Sequence, residues 1–264
     1  MTKYGICCNY NIDQAEILTE DLIQELKHYN VEYDIFSVDS PKGEYDFVFV
    51  IGGDGTILKT ARFYSKCKTP IFGINLGHLG FLSQASNINL KKAVREIVKN
   101  NYITEERMML QSGKYSALND FVIKGETSSR AIPFSLEINN KFVCEYFADG
   151  IIISTPTGST AYSMAAGGPV LAPDIEAITI TPICPHTFAA RPLVVSSNSE
   201  IKIIINPAYK YIVSADGQEV FSFEKEFIIR KSEMHATLAL LNENDFFSVL
   251  KNKLNWGFTP YKNK

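Results

Sequence analysis

Long apolar runs are missing from this chain: no stretch of its 264 residues reaches the ~18 consecutive apolar positions that a membrane-crossing helix needs. The segment from Met1 to Asn9 holds too short an apolar core for a secretory leader, and Asn9 and Asn11 interrupt it. Positive charge is also scarce, since 26 Lys+Arg against 29 Asp+Glu leave a formal net charge of −3. A protein that wraps nucleic acid needs a basic stripe, and none is present. The five cysteines include no Cys-x-x-Cys pair and none with a histidine at ligand spacing, which argues against structural zinc. Four scattered histidines form no His-x-x-x-His pair, so each is expected to be structural or hydrogen-bonding. Neither Gly-x-Gly-x-x-Gly nor Gly-x-x-x-x-Gly-Lys-Ser/Thr occurs, so no standard nucleotide fingerprint is met.

These absences point to a soluble cytoplasmic chain with reduced thiols and neither nucleic acid nor membrane as partner. Cys7, Cys8 and Cys144 lie in apolar stretches and read as small buried groups. Composition is that of an ordinary globular chain, with 45% apolar and 21% charged residues. At ~150 residues per domain, the length allows one or two domains.

Texture changes near residue 100. Before it, apolar runs alternate with helical patterns. Strands are expected at Lys3 to Cys8, Tyr33 to Val38, Phe47 to Ile51 and Pro70 to Asn75. Helices are expected over Asp13 to Tyr29, Ile57 to Lys66 and Leu90 to Val98, from apolar residues at i, i+3, i+4 spacing. Phe47-Val48-Phe49-Val50-Ile51 is unbroken, the mark of a strand buried on both faces of a parallel sheet. The fold class expected is an α/β N-terminal domain with an open parallel sheet, then a mostly antiparallel, β-rich C-terminal domain. Residues 1–100 would form the first and 101–244 the second, with the tail 245–264 helical at first and packed back on the first domain.

Gly52-Gly53-Asp54-Gly55-Thr56 follows the buried strand and opens a helix. Ligands bind at such carboxyl ends of parallel strands, where glycines and free helical N–H groups let a phosphate approach. Asp54 is the informative residue. A carboxylate there repels a phosphate unless it binds a cation, accepts hydroxyl hydrogen bonds or takes a proton; the plain alternative is a helix cap. Lys59, on the first turn of that helix, is placed to reach a phosphate or simply to face solvent. Asn119-Asp120 combines an amide that can pair with a purine edge and a carboxylate that can hold a ribose diol. Read alone it is a strand-initiating turn. Asp149 precedes an apolar strand, and Ser154-Thr155-Pro156-Thr157-Gly158-Ser159-Thr160 follows it with five hydroxyls; Thr160 is expected to cap a helix over Ala161 to Ala166.

The run Phe49 to Thr56, followed by Gly73-Ile74-Asn75-Leu76-Gly77-His78-Leu79-Gly80-Phe81-Leu82, then Asn119-Asp120, then Ala148 to Ser163, resembles NAD kinases of the bacterial type. The Gly-Gly-Asp-Gly turn alone is shared with lipid kinases and phosphofructokinases; the block from Asp149 to Ser163 is far more specific. The resemblance covers about residues 45 to 220. It implies transfer of the γ-phosphoryl group of ATP, or of polyphosphate in some members, to the 2′-hydroxyl of the adenosine ribose of NAD, giving NADP. It implies a divalent cation, Mg²⁺, arriving with ATP rather than on protein ligands, and assembly into dimers or tetramers.

By the same resemblance, Asp54 accepts the hydroxyl proton, with Gly55 and Lys59 beside it. NAD is contacted by Asn119, Asp120, Asp149, Thr157, Thr160, Ala161, Tyr162, Ser163 and Ala165. Gln218, in Asp216-Gly217-Gln218, faces the dinucleotide, and Cys184 lines the site. Asp120 stands where many members have Glu, and Phe147 where several have a basic residue. A carboxylate of solution pKa ~3.9 cannot deprotonate a sugar hydroxyl outright. Phosphoryl transfer is loose, so the proton can leave late. The other readings are a lipid kinase of related fold, a dinucleotide sensor without chemistry and a hydride-transfer enzyme. The first lacks a visible acyl groove, the second has no use for Asp54, and the third lacks its glycine fingerprint.

Overall fold

The structure, a computed structural model, describes residues 2–76, 80–86, 89–126, 131–187, 189–223, 225–241 and 245–257. Gly77, His78, Leu79 and Arg130 lie outside these residues. The chain divides into a unit of residues 1–106 with 237–264 and a unit of residues 107–236.

In the first unit, β1 (Lys3–Cys8), α1 (Ala15–Lys27), β2 (Glu32–Ser37), β3 (Phe47–Ile51), α2 (Asp54–Tyr64), β4 (Ile71–Asn75), β5 (Ser83–Ser86) and α3 (Leu90–Val98) follow in order. The strands run parallel as β2-β1-β3-β4, with β5 beyond β4. Every residue of β3 is buried, as its unbroken apolar run requires. Tyr4, Phe47, Phe49 and Phe72 form an aromatic layer with ring centroids 5.1–6.2 Å apart. α1 places Ala15, Leu18, Leu22 and Leu26, and α3 places Leu90, Ala93, Val94 and Ile97, into the same core.

The second unit holds most of β6 (Ile103–Ser112), then β7 (Tyr115–Ala117), β8 (Asp120–Gly125), β9 (Ile132–Ile138), β10 (Lys141–Ala148) and β11 (Gly150–Ser154). A 3₁₀ turn (Thr157–Thr160) and the one-turn helix α4 (Tyr162–Ala165) come next. They are followed by β12 (Ala177–Ile183), β13 (Leu193–Ser196), β14 (Ile201–Ile205), β15 (Tyr211–Ala215), β16 (Glu219–Phe221) and β17 (Glu226–Leu240). Two antiparallel sheets result, β10-β9-β14-β17 and β13-β12-β11-β8-β15-β16. Alternate residues Phe121, Ile123, Ile151, Ile153, Ile178 and Ile180 share one core with Phe134, Leu136, Ile201 and Ile203.

β17 runs on past Ala236, so that Leu238 pairs with Ile71 of β4 and Ala239 and Leu241 join the first unit's core. By apolar pattern alone, Phe227 to Ile229 and Thr237 to Leu241 read as two short strands rather than one. The polar stretch Arg230 to His235 hides the continuity because its residues alternate between faces without an apolar run. After β17 comes α5 (Phe246–Leu254), capped by Asp245, whose carboxylate accepts the Ser248 N–H at 2.9 Å. Lys253 Nζ then lies 5.2 Å from the Phe81 ring centre.

Phe49→Ala, at a fully buried ring, should lower the unfolding free energy by about 3–5 kcal/mol. Phe142→Ala, at a ring 64% exposed, should change it by less than ~0.5 kcal/mol. Urea titrations of both variants check this; equal losses would contradict the core assignment.

Candidate functional site

β3 ends at Ile51, and the chain turns through Gly52 and Gly53 into α2. A side chain at Gly52 would place its Cβ 2.4 Å from Thr56 Oγ1, and the backbone there has φ +155°. Only glycine fits. Gly53 is the N-cap and makes no side-chain cap, so Asp54 is the first helical residue and does not cap α2. Its carboxylate instead accepts the N–H groups of Phe81 (2.9 Å) and Leu82 (3.3 Å). Gly80 completes this seat: a Cβ there would lie 1.8 Å from Asp54 Oδ1. Asp54 is half-buried and Gly55 exposed. The carboxylate therefore sits at a helix N-terminus, held by neutral main-chain donors.

Two neighbours differ from expectation or add to it. Lys59 lies on the second turn of α2, not the first, because the helix starts at Asp54. Its ammonium is tied to Asp39 at 2.7 Å, and this pairing lowers the Asp39 carboxyl below its usual value. Asn9, after β1, donates to Thr56 Oγ1 at 2.9 Å and so fastens the β1 loop to the first turn of α2.

The remaining site candidates lie in the second unit, around the six-stranded sheet. Asn119 and Asp120 stand at the start of β8, with Asp120 opposite Ser154 on β11, and Ser154 opposite Thr179 on β12. Asp120, Ser154 and Thr179 point away from the apolar core, since their strand neighbours Phe121, Ile153, Ile178 and Ile180 point into it. Asp120 is 4% exposed, and no hydrogen bond among the described residues ties its carboxyl. Burial, then the charge of Asp216, pushes that carboxyl up to about 7. Two strands away in the same row, beyond Ser154, the Thr179 hydroxyl is also buried without a partner among the described residues.

The hydroxyl-rich loop is less open than its sequence suggests. Ser154 donates to Thr155 O, Thr155 to Leu118 O, Ser159 to Pro156 O and Thr160 to Thr157 O. Three of the five hydroxyls thus donate to the loop's own backbone and Thr155 donates to the preceding turn, leaving Thr157 Oγ1 without a protein partner among the described residues. Thr160 does not cap the following helix; Ala161 is its N-cap and gives no side-chain bond. Ser163 is buried against Thr181 at 3.0 Å, while Tyr162 and Ala165 are exposed and Ala161 half-buried.

β11 separates the candidates along its length. Asn119, Asp120, Thr157, Thr160 and Gln218 gather at its Ser154 end, and Asp149 and Cys184 at its Gly150 end, roughly 13 Å away for a strand of this length. There the Asp149 N–H donates to Ile183 O at 3.0 Å, and Cys184, exposed, takes φ +45°. Phe147 is 48% exposed and meets the His186 ring edge-on at 5.1 Å. Gln218 is exposed, just after Asp216 and Gly217, both at positive φ as a tight hairpin turn requires.

Sequence reasoning passed over three residues that shape this end. Asp216 reaches across to the Asn119-Asp120 turn, Thr155 grips it from the other side, and a Cβ on Gly158 would lie 2.1 Å from Asn119 O. The Asp-Gly pair announced a turn, but nothing in the spacing announced its target 96 residues upstream.

The chain resembles known proteins along most of its length. A family model of the ATP-NAD kinase N-terminal domain matches residues 38–102, and one of the ATP-NAD kinase C-terminal domain matches residues 118–241. A curated NAD kinase of Thermoanaerobacter sp. (strain X514) is 36% identical over 280 aligned positions, covering 96% of this chain and 99% of that protein. Among solved structures, an NAD kinase from Archaeoglobus fulgidus in complex with ATP superposes with a TM-score of 0.81 at 31% identity, covering 96% of this chain and 98% of that one. Yeast NADH kinase complexed with NADH shares the fold, with a TM-score of 0.85 at 23% identity over 100% of this chain and 90% of that one.

The buried Asp120 carboxyl predicts a pH effect on stability. Its proton favours the folded chain fully below the ordinary value of 3.8, and that contribution is lost as pH rises through about 7. Asp120→Asn does not titrate, so its stability relative to the native chain should improve by on the order of 2 kcal/mol between pH 5 and pH 8. Urea midpoints at both pH values measure this; a pH-independent difference would refute it.

Proposed function

The chain belongs to the ATP-NAD kinase family, and from that premise we propose how its own residues serve the reaction. It phosphorylates NAD with ATP to give NADP. The 2′-oxygen forms a bond to the γ-phosphorus, the bond from that phosphorus to the β,γ-bridging oxygen breaks, ADP leaves, and the hydroxyl proton passes to a base. The observation that carries the residue-level reading is Asp54: a carboxylate at the carboxyl end of a buried parallel strand, on a helix N-terminus, held by the Phe81 and Leu82 amides.

We assign Asp54 the acceptance of that proton. Two N–H groups fix the carboxylate oxygens, so the acid does not need to reorganise as the phosphoryl group moves. Gly52, Gly53 and Gly55 leave the N-terminus of α2 open to phosphate oxygens. Lys59 completes the charge balance by exchanging Asp39 for a phosphate of the donor, ATP or polyphosphate. In the second unit, Asn119 and Asp120 take the adenosine part of NAD, supported by Thr157, Thr160, Ala161, Tyr162, Ser163 and Ala165. Gln218 contacts the dinucleotide at this same end, and Asp149 and Cys184 contact it further along.

No cluster of three or more His, Cys, Asp or Glu able to hold a metal occurs among the described residues. We assign Mg²⁺ to the substrate, as MgATP, because the triphosphate oxygens are the hard donors it prefers. The proposal extends to a cytoplasmic enzyme of NADP biosynthesis that assembles as a dimer or tetramer. Five free thiols suit a reducing compartment, and no helix among the described residues is long and apolar enough to cross a membrane.

The test is incubation of the purified chain with NAD, Mg²⁺ and ATP, reading NADP. Asp54→Asn should lose about 10²–10⁴-fold in kcat, with NAD affinity from calorimetry held within about threefold. Native-like turnover in that variant would remove Asp54 from the chemistry, and no NADP from the native chain would end the kinase reading.

A further inference from the structure

We infer that Asp216 and Thr155 are positioning residues for the dinucleotide: between them they engage every main-chain hydrogen-bonding group of Leu118, Asn119 and Asp120, which holds the Asn119 amide and the Asp120 carboxyl toward the ligand. The inference rests on the NAD kinase reading above and adds to it two residues that do not themselves touch NAD.

The accounting is complete for the three residues. Asp216 Oδ2 accepts the Leu118 N–H at 3.1 Å, and Oδ1 accepts the N–H groups of Asn119 (2.7 Å) and Asp120 (3.2 Å). The Asp216 N–H returns a bond to Asp120 O at 2.9 Å. On the other side, Thr155 Oγ1 donates to Leu118 O at 2.6 Å and its N–H donates to Asn119 O at 2.9 Å. The same Oγ1 accepts the Gly158 N–H at 3.0 Å, which links the turn to the loop that carries Thr157 and Thr160.

Buried main-chain groups must find partners, so a turn whose six such groups are all engaged has one conformation. The side chains are in the opposite condition. No hydrogen bond among the described residues holds the Asn119 amide or the Asp120 carboxyl. A rigid backbone carrying unengaged polar side chains is pre-organised for a ligand, which then loses little freedom in ordering them. Asp216 can do this only because its backbone is left-handed, with φ +50°. That conformation is tolerated by Asp and Asn and disfavoured for most other residues.

Asn therefore separates the carboxylate from the turn. Asp216→Asn keeps the left-handed backbone but offers one acceptor oxygen, and turns an NH₂ group toward the Leu118 N–H. In steady-state assays of the full chain, KM for NAD should rise about tenfold, while kcat and KM for ATP change less than about threefold. Both KM values within twofold of native would overturn the inference, as would parallel losses in NAD, ATP and kcat, which mark a merely structural role. Should Asp216→Asn fail to fold, Thr155→Val and Thr155→Ser carry the test. Loss of the hydroxyl should put KM for NAD at least about fivefold above that of the serine variant, and equal values would overturn the inference. The native chain run alongside keeps the two claims apart, since failure to make NADP there counts against the kinase reading alone.

Discussion

Two acidic side chains organise this molecule's polar regions, and main-chain amides grip both. Asp54 takes two N–H groups from Phe81 and Leu82, and Asp216 takes three from Leu118, Asn119 and Asp120. Charge-assisted bonds of this kind are roughly twice as strong as neutral ones. They also add no net positive charge. A lysine or arginine in the same place would bind the phosphates of a dinucleotide or of ATP directly and compete with the alignment that transfer requires. With amides as partners, each carboxylate is fixed in place by groups that carry no net charge of their own.

Close approach of backbone makes both seats possible. The carboxylate of Asp54 occupies the space in which a residue larger than glycine at position 80 would place its Cβ. The Asn119 carbonyl occupies the corresponding space at Gly158. These glycines matter for the volume they leave empty, and neither has a positive φ. Gly52 is different, for it combines φ +155° with a Thr56 hydroxyl in the space a Cβ would take.

Much of this was legible in the sequence wherever burial dominates. The unbroken run Phe47 to Ile51 and the apolar stripe of Leu90 to Val98 correspond to β3 and α3 residue for residue, because a strand buried on both faces and a helix buried on one leave a periodic trace. β12 and β13 were not legible. Ala177-Ile178-Thr179-Ile180-Thr181-Pro182-Ile183 alternates polar with apolar residues and holds a proline one residue from its end, yet its threonines are buried too, Thr181 against Ser163 of α4. Asp54 could be singled out because a charge among glycines is conspicuous. The direction of the hydroxyls from Ser154 to Thr160 could not be read, since a serine facing a ligand and one facing its own backbone are spelled alike. Asp216 was hidden for a further reason: its partners are distant in sequence and are peptide groups, which every residue has.

The path of β17 has a consequence for how the protein is made. The first unit begins at the N-terminus, yet its core includes Ala239 and Leu241, contributed after the 130 residues of the second unit have intervened. On a ribosome that releases the chain from one end, residues 1–106 emerge long before the strand end that pairs with Ile71 exists. The unit first to be synthesised is thus the last to be completed: β5 already covers Gly73 to Asn75 of β4, but until β17 arrives Ile71 lacks its strand partner. A nascent chain stalled inside the second unit would leave uncovered the apolar surface that Ala239 and Leu241 later bury, so the stability of its earliest sequence waits on its latest.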